Sequence, residues 1–163
     1  MWSILHSKKF VPIFVMVGFV FSFGVSQALA QMDTKARKQA IKGVDEMVAG
    51  KKMLMNGLGK QKLEKDPKLA AGIKMLTDGE KMALAGKKMM KQKTEKPEIK
   101  GKEEIMSGTT KMMQGKDAIM KELKTRGMMQ EGNLKGAEKD IKQGDNKMLE
   151  GKNMMMDGLK KFE

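Results

Sequence analysis

The sequence has no cysteine and no tyrosine, and only one histidine, one tryptophan and three prolines among its 163 residues. Without cysteine it has neither a disulfide framework nor a thiolate nucleophile. The single histidine, His6, lies in an N-terminal segment that we predict below to be removed. The remaining chain would then lack both a Ser-His-Asp triad and the usual ligands of zinc. We therefore predict that the protein is not an enzyme.

The one long apolar stretch is at the N-terminus, and it predicts an export signal. Two lysines precede an apolar run over 10–25, and an Ala-Leu-Ala sequence follows at 28–30. This order is typical of a secretory signal peptide with its cleavage site. The alternative is an uncleaved membrane anchor, but such an anchor needs about 20 apolar residues, more than this run supplies. We predict a cleaved signal peptide at 1–30 and a mature periplasmic or secreted domain at 31–163.

The predicted mature domain is basic and has almost no aromatic residues. It contains 31 Lys and Arg against 20 Asp and Glu, a net charge of +11, and its one aromatic residue is Phe162. A surface with this charge attracts anionic partners, such as envelope polymers and lipid headgroups. The alternative is that the lysines only solvate exposed helix faces. We do not expect nucleic acid as a partner, because the aromatic side chains that stack on bases are missing.

Glycines recur every seven residues in four groups. The first three groups are offset by 29 residues, and the fourth begins 43 residues after the third, which is one such offset plus two heptads. We name these twelve residues the glycine row: Gly43, Gly50, Gly57, Gly72, Gly79, Gly86, Gly101, Gly108, Gly115, Gly144, Gly151 and Gly158. A fixed period of this kind indicates a repeated structural unit of about 29 residues. We predict four such repeats in a Gly/Met/Lys-rich domain.

Apolar residues follow the glycines at helical spacing. The second row, four residues after the first two glycines of each group, is Met47, Leu54, Leu76, Ala83, Ile105, Met112, Met148 and Met155. The third row, five residues after the first two glycines of each group, is Val48, Met55, Thr77, Leu84, Met106, Met113, Leu149 and Met156. Both rows lie beside the glycine row on one side of a helix, and charged residues dominate the other side. We predict an all-α fold of long amphipathic helices near 33–64, 67–94, 97–126 and 136–162, packed as an antiparallel bundle, like a coiled coil, or by self-association.

Glycine inside a helix requires an explanation. Each one costs about 0.8 to 1 kcal/mol relative to alanine, so twelve cost roughly 10 kcal/mol, comparable with the whole stability of a small domain. One explanation is that glycine lets a neighbouring helix backbone come close. The other is that the helices are marginal alone and order fully only on assembly or binding. We favour close packing.

Methionine is unusually abundant, with 18 residues in the predicted mature domain. Met-rich apolar surfaces adapt to many partners. Our principal hypothesis is a non-catalytic exported binding or scaffold protein without a cofactor, which acts through an apolar face and the cationic surface. Its partners would be exported client proteins or further copies of the chain. The predicted apolar face consists of Met47, Leu54, Met55, Met82, Met112, Met113, Met155 and Met156.

Methionine also supports an alternative hypothesis, the sequestration of Cu(I) or Ag(I) in the periplasm, because soft metals bind thioether sulfur. No two methionines are three or four residues apart, the spacing at which side chains of one helix meet. A metal site would therefore have to form between helices. The candidate ligands are Met53, Met55, Met82, Met112, Met113, Met154, Met155 and Met156. A third interpretation needs no ligand, since methionine also fills irregular cores.

Overall fold

A computed structural model describes residues 11–92, 95–129 and 136–161, although not the side chains of 11–33 and 95–97. These ranges contain helices and turns and no strand. The prediction of an all-α fold is therefore confirmed. The four helices are α1 (Val11–Lys60), α2 (Pro67–Met90), α3 (Glu95–Thr125) and α4 (Ala137–Lys160).

Helix α1 begins earlier than we predicted. Its backbone is helical from Val11 and continues without a break past Ala30, the last residue of the predicted signal peptide. The side chains of that segment lie outside the described residues, so its cleavage stays a prediction. Across the side chains that the structure describes, no helix combines the length and hydrophobicity needed to cross a membrane.

Helix α1 also ends earlier than predicted, at Lys60 rather than near residue 64. The backbone N–H of Leu63 donates to the carbonyl of Leu58, and that of Lys62 donates to Gly59, both at 2.9 Å. This pair of hydrogen bonds is a Schellman motif, which closes a helix with one residue in the left-handed region. Lys62 occupies that position with φ 58°, where glycine is the usual residue. Because no glycine marks the position, the sequence did not reveal this helix end.

The start of α2 is fixed by Asp66, which is the N-cap and is followed by proline in the first helical turn. The Asp66 carboxylate accepts a hydrogen bond from the backbone N–H of Lys68 at 2.8 Å. Arg126, just after α3, donates to both carboxylate oxygens at 2.5 and 3.1 Å. The guanidinium and the Lys68 N–H together lower the pKa of Asp66 to about 2. This ion pair joins the beginning of α2 to the end of α3.

The helices form two antiparallel close pairs, α1 with α4 and α2 with α3. The glycine row makes the contact in both. A Cβ added to Gly50 would lie 2.7 Å from both the Gly144 carbonyl oxygen and the Met148 nitrogen, and one added to Gly79 would lie 2.6 Å from the Gly108 oxygen. Real Cβ atoms essentially never approach other atoms this closely. Close packing of backbones therefore accounts for the heptad glycines.

The two close pairs meet along two seams, α1/α2 and α3/α4, where the helices contact each other far less. The residues one position after the glycines, which we name the seam row, meet there. Lys51 of α1 pairs with Glu80 of α2 at 2.5 Å, and Lys116 of α3 pairs with Asp145 of α4 at 2.8 Å. The seams are therefore held by side chains, whereas the close pairs are held by backbone contact.

The second and third rows have different environments. All eight residues of the second row are at most 1% exposed, and they form the interior of the bundle. In the third row, by contrast, Leu84 is 40% exposed, Met106 41% and Leu149 46%. The third row lies about 40° beyond the seam row on a helix, on the side that faces out of the bundle. The apolar stripe is thus divided into a sealed core and an accessible border along each seam.

Candidate functional site

The predicted apolar face is divided by the bundle. Its buried members are Met47, Leu54, Met112 and Met155, each at most 1% exposed. Its partly exposed members are Met55, Met82, Met113 and Met156. A partner can reach only the second group while the bundle stays closed.

An accessible apolar strip follows the outer side of the α3/α4 seam. We define the α3/α4 face as Ile99, Met106, Met113, Leu149 and Met156. Ile99 is 56% exposed, and it borders a surface hollow of about 340 Å³ together with Met106. Met113 and Met156 are partly buried and pack against the core. The strip therefore continues the core out to the surface.

The polar border of this face contains few lysines. It is formed by the flanking row, the residues two positions after the glycines. The exposed members along its middle are Glu103, Thr110, Asp117, Asn146 and Asn153. Towards the ends, Lys160 belongs to this row, and Lys124 and Lys139 continue it by one heptad beyond the glycines. The central part of the α3/α4 face is thus apolar with a neutral to acidic border.

The α1/α2 seam has an equivalent strip with a different border. We define the α1/α2 face as the third-row residues Val48, Met55, Thr77 and Leu84 with the exposed lysines beside them, Lys38, Lys52, Lys74, Lys81 and Lys88. At one end of this face, residues from both helices line an open hollow of about 980 Å³, including Lys52, Met55 and Glu80. The strip is therefore less apolar, and lysines flank it on both edges, with Asp45 between Lys38 and Lys52.

The charge difference between the two seams comes from acidic residues. Residues 34–60 of α1 and the whole of α2 carry twelve basic and four acidic side chains, whereas α3 and α4 carry twelve basic and eleven acidic ones. The net charges are +8 and +1. The cationic surface that composition predicts is thus concentrated on one side of the bundle.

Lys116 is the most enclosed charged side chain that the structure describes, at 8% exposure. Its ammonium pairs with Asp117 and Asp145, both at 2.8 Å. Burial lowers the pKa of Lys116, but the hydrogen bonds to these two carboxylates outweigh it and leave the pKa raised. The group therefore stays protonated and acts as a structural cation of the α3/α4 seam.

The methionines of the metal hypothesis do not gather at one level. The backbone of Met155 lies against Gly43, whereas the backbone of Leu54 lies against Gly144. Because α1 and α4 are antiparallel, these two levels are 11 residues apart on α1, about 16 Å along the helix axis. The methionines beside Leu54 and those beside Met155 are therefore separated, although they are equivalent in the sequence repeat.

The remaining candidate ligands also differ in environment. Met112 is sealed in the interior, while Met82 and Met113 are partly exposed. Among the described residues, no group of three or more His, Cys, Asp or Glu side chains is arranged to hold a metal ion. Sequestration of Cu(I) or Ag(I) stays a prediction, which a titration of the protein with Cu(I) against a competing chelator tests directly.

Comparison with known proteins gives no relative, since no protein-family model, curated protein or solved structure matches the chain. The two faces are therefore the features of the molecule that indicate a function. The site residues predicted from the sequence do not include Leu84, Ile99, Met106 or Leu149. The sequence does contain a sign of the two different faces, because the residues that border the third row are mostly basic in the first two helices and neutral to acidic along the middle of the last two. This charge difference identifies two separate faces only once it is known which helices share a seam.

Proposed function

We propose that the protein is a non-catalytic exported binding or scaffold protein whose α3/α4 face holds apolar segments of other exported proteins. The observation that carries the proposal is the exposure of Met106 (41%) and Leu149 (46%) in a strip that continues the core. Single exposed apolar residues are ordinary, but rows of them mark interaction sites. The flexible thioethers of this strip suit partners of varied shape.

The cationic surface of the same proposal is the α1/α2 face. Its lysines attract anionic envelope material and discourage two copies from meeting through this side. The proposed location is the periplasm or the exterior, and it is supported by the apolar leader and its Ala-Leu-Ala site. Mass spectrometry of the exported protein tests the location, with an N-terminus at Gln31 as the expected result.

The 29-residue period is proposed as the structural unit, with the helices pairing like coiled coils. Support comes from the recurrence of the same contact in both close pairs. Gly43, Gly50 and Gly57 of α1 meet the backbone of α4 at heptad intervals, and the three glycines of α2 meet α3 in the same way. Each close pair thus consists of two helices with the same heptad spacing of glycines.

Suppression of aggregation tests the client-binding proposal. The wild-type protein is expected to reduce light scattering by chemically reduced insulin, which exposes apolar segments. The double variant Met106→Gln/Leu149→Gln is expected to need at least about tenfold more protein for the same effect, because it removes two large apolar contacts. Leu84→Gln is the matched control, since Leu84 has nearly the same exposure on the other face. Equal activity of all three proteins would contradict the proposal.

A second copy of the chain is the competing occupant of the α3/α4 face. Its near-neutral charge makes this side the less repulsive one for self-association. Sedimentation velocity separates the two occupants. A wild-type dimer that Met106→Gln/Leu149→Gln converts to a monomer would assign the face to self-association, and client holding would then require dissociation.

A further inference from the structure

We propose that the α1/α2 face docks on an anionic lipid bilayer, with the two helices lying parallel to the membrane surface. The inference deepens the proposed function, because it assigns a partner to the cationic surface of the exported protein. It is carried by the shape, the charge and the apolar content of this one face.

The shape of the face suits a flat surface. Helix α2 has 24 residues, about 36 Å of helix, and α1 runs antiparallel beside it. Lys38 and Lys52 lie on the outer edge of α1, with Asp45, which pairs with Lys87, between them, while Lys74, Lys81 and Lys88 follow the outer edge of α2. The two edges thus present parallel rows of ammonium groups on either side of the seam.

The charge of the face is available to a partner. All four acidic side chains on residues 34–60 and α2 are engaged in ion pairs: Asp45 with Lys87, Glu46 with Lys147, Asp78 with Lys74, and Glu80 with Lys51. Within the part of the chain that the structure describes, Lys38, Lys52, Lys81 and Lys88 form no ion pair. The carboxylates are therefore neutralised locally, and these four lysines are left to bind lipid phosphates.

The apolar side chains between the lysine rows favour a bilayer over a soluble anionic polymer. Leu84 is 40% exposed, and Val48 and Met55 are partly exposed beside the seam. A polymer in solution gains nothing from these side chains, whereas the boundary between headgroups and acyl chains accepts both them and the lysine stems. With no aromatic residue at the face, the contact is shallow and reversible.

Docking on this side leaves the α3/α4 face accessible. The close pairs α1/α4 and α2/α3 connect the two seams, so the seams lie on opposite sides of the bundle. A protein that is bound through α1/α2 would therefore present its apolar strip away from the membrane. The lipid contact and the client contact can be made at the same time.

Co-sedimentation with vesicles tests the proposal, with the protein purified as the host exports it. The probes are vesicles of phosphatidylcholine alone and vesicles with about 30% phosphatidylglycerol, at about 50 and 500 mM salt. The test variant is Lys38→Gln/Lys52→Gln/Lys81→Gln/Lys88→Gln. The control removes the same charge from the other side: Lys100→Gln/Lys124→Gln/Lys139→Gln/Lys160→Gln. All eight lysines are exposed, and circular dichroism checks that the helices stay intact.

The wild-type protein is expected to prefer the anionic vesicles at low salt and to lose that preference at high salt. The test variant should bind them about a hundredfold more weakly, and the control should change by less than about threefold, because only lysines close to the membrane contribute. Equal losses in the two variants would show attraction by net charge alone and would overturn the proposal.

Two single variants separate a bilayer from a polymer. Leu84→Gln is expected to weaken vesicle binding severalfold, while Leu149→Gln leaves it unchanged. If Leu84→Gln has no effect and poly-glutamate binds as tightly as the anionic vesicles, the face is a polymer site and the lipid proposal is wrong. Neither of these contrary results would change the outcome of the insulin assay, because that assay reports on Met106 and Leu149.

Discussion

The two seams of the bundle have the same construction and different surfaces. Each joins two antiparallel helices through ion pairs of the seam row, and each helix pair carries twelve basic side chains in the segments compared. They differ in the third row, which is more apolar at α3/α4, and in acidic residues, which are nearly three times as numerous there. The glycine and second rows thus maintain the bundle, while the outward rows vary and give the two sides different surfaces.

Both close pairs are expected to need glycine equally, and alanine substitution should give the largest effect. Gly50→Ala and Gly79→Ala are each expected to destabilise the protein by about 3 kcal/mol, because the added methyl collides with backbone in both pairs. This loss should exceed the gain of about 1 kcal/mol in helix propensity. Urea unfolding followed by circular dichroism measures both. A large loss in only one variant would mean that the close pairs are not equivalent.

Gly59→Ala is the control for that experiment. Its added Cβ would meet only the end of the flexible Glu64 side chain, at 2.8 Å. The variant is expected to be as stable as the wild type or up to about 1 kcal/mol more stable. If Gly59→Ala loses as much stability as Gly50→Ala, the close approach of the helix backbones is not the cause of the loss.

The seam ion pairs give the second test of the comparison. Lys116→Met is expected to destabilise by about 1 to 2 kcal/mol, because it leaves Asp145 enclosed with only Lys142 nearby, at 3.8 Å. Lys51→Met at the other seam should cost less, since Lys51 has one carboxylate partner and Lys116 has two. Thermal unfolding measures the difference. The reverse order would show that α1/α2 is the more tightly held seam.

A smaller effect on stability is expected at the two helix ends that have one residue in the left-handed region. Lys62 at the end of α1 and Gly127 at the end of α3 both have positive φ, 58° and 70°. Lys62→Gly is expected to stabilise by about 1 kcal/mol, because it removes the steric cost of a side chain in this region. Gly127→Lys should destabilise by a similar amount. No gain from Lys62→Gly in thermal unfolding would mean that the lysine side chain contributes to the turn.

We expect the smallest effect on stability from the Asp66–Arg126 ion pair, and this effect depends on pH in a defined range. The pKa of Asp66 is lowered to about 2 from its ordinary 3.8, so its contribution to stability is present above pH 4 and is lost as the pH falls through 2. Arg126→Gln is expected to move the pKa of Asp66 towards 3.8, as measured by NMR titration of the carboxyl carbon. Arg126→Lys serves as the control and should retain part of the shift. An unchanged pKa in Arg126→Gln would assign the shift to the Lys68 N–H alone.

The helical periodicity was sufficient to predict four helices and to place the second row on their apolar side. It was insufficient for the site, because a helix wheel gives the faces of one helix and not the identity of its neighbours. The pairing of α1 with α4 places Met155 beside Gly43, so residues that are equivalent in the repeat lie at different levels. The exposure of Met106 and Leu149 likewise follows from which helices share a seam. The early end of α1 depends on the backbone of Lys62, a residue with no turn signal in its side chain.

The glycine contacts also make the length of the bundle adjustable. Every contact in a close pair is followed by an equivalent one seven residues later, so a whole heptad inserted into both partners preserves the phase of every row. Such a chain can lengthen or shorten in steps of about 10.5 Å without any new kind of contact. The length of a close pair of helices can therefore change while the packing between the two helices stays the same.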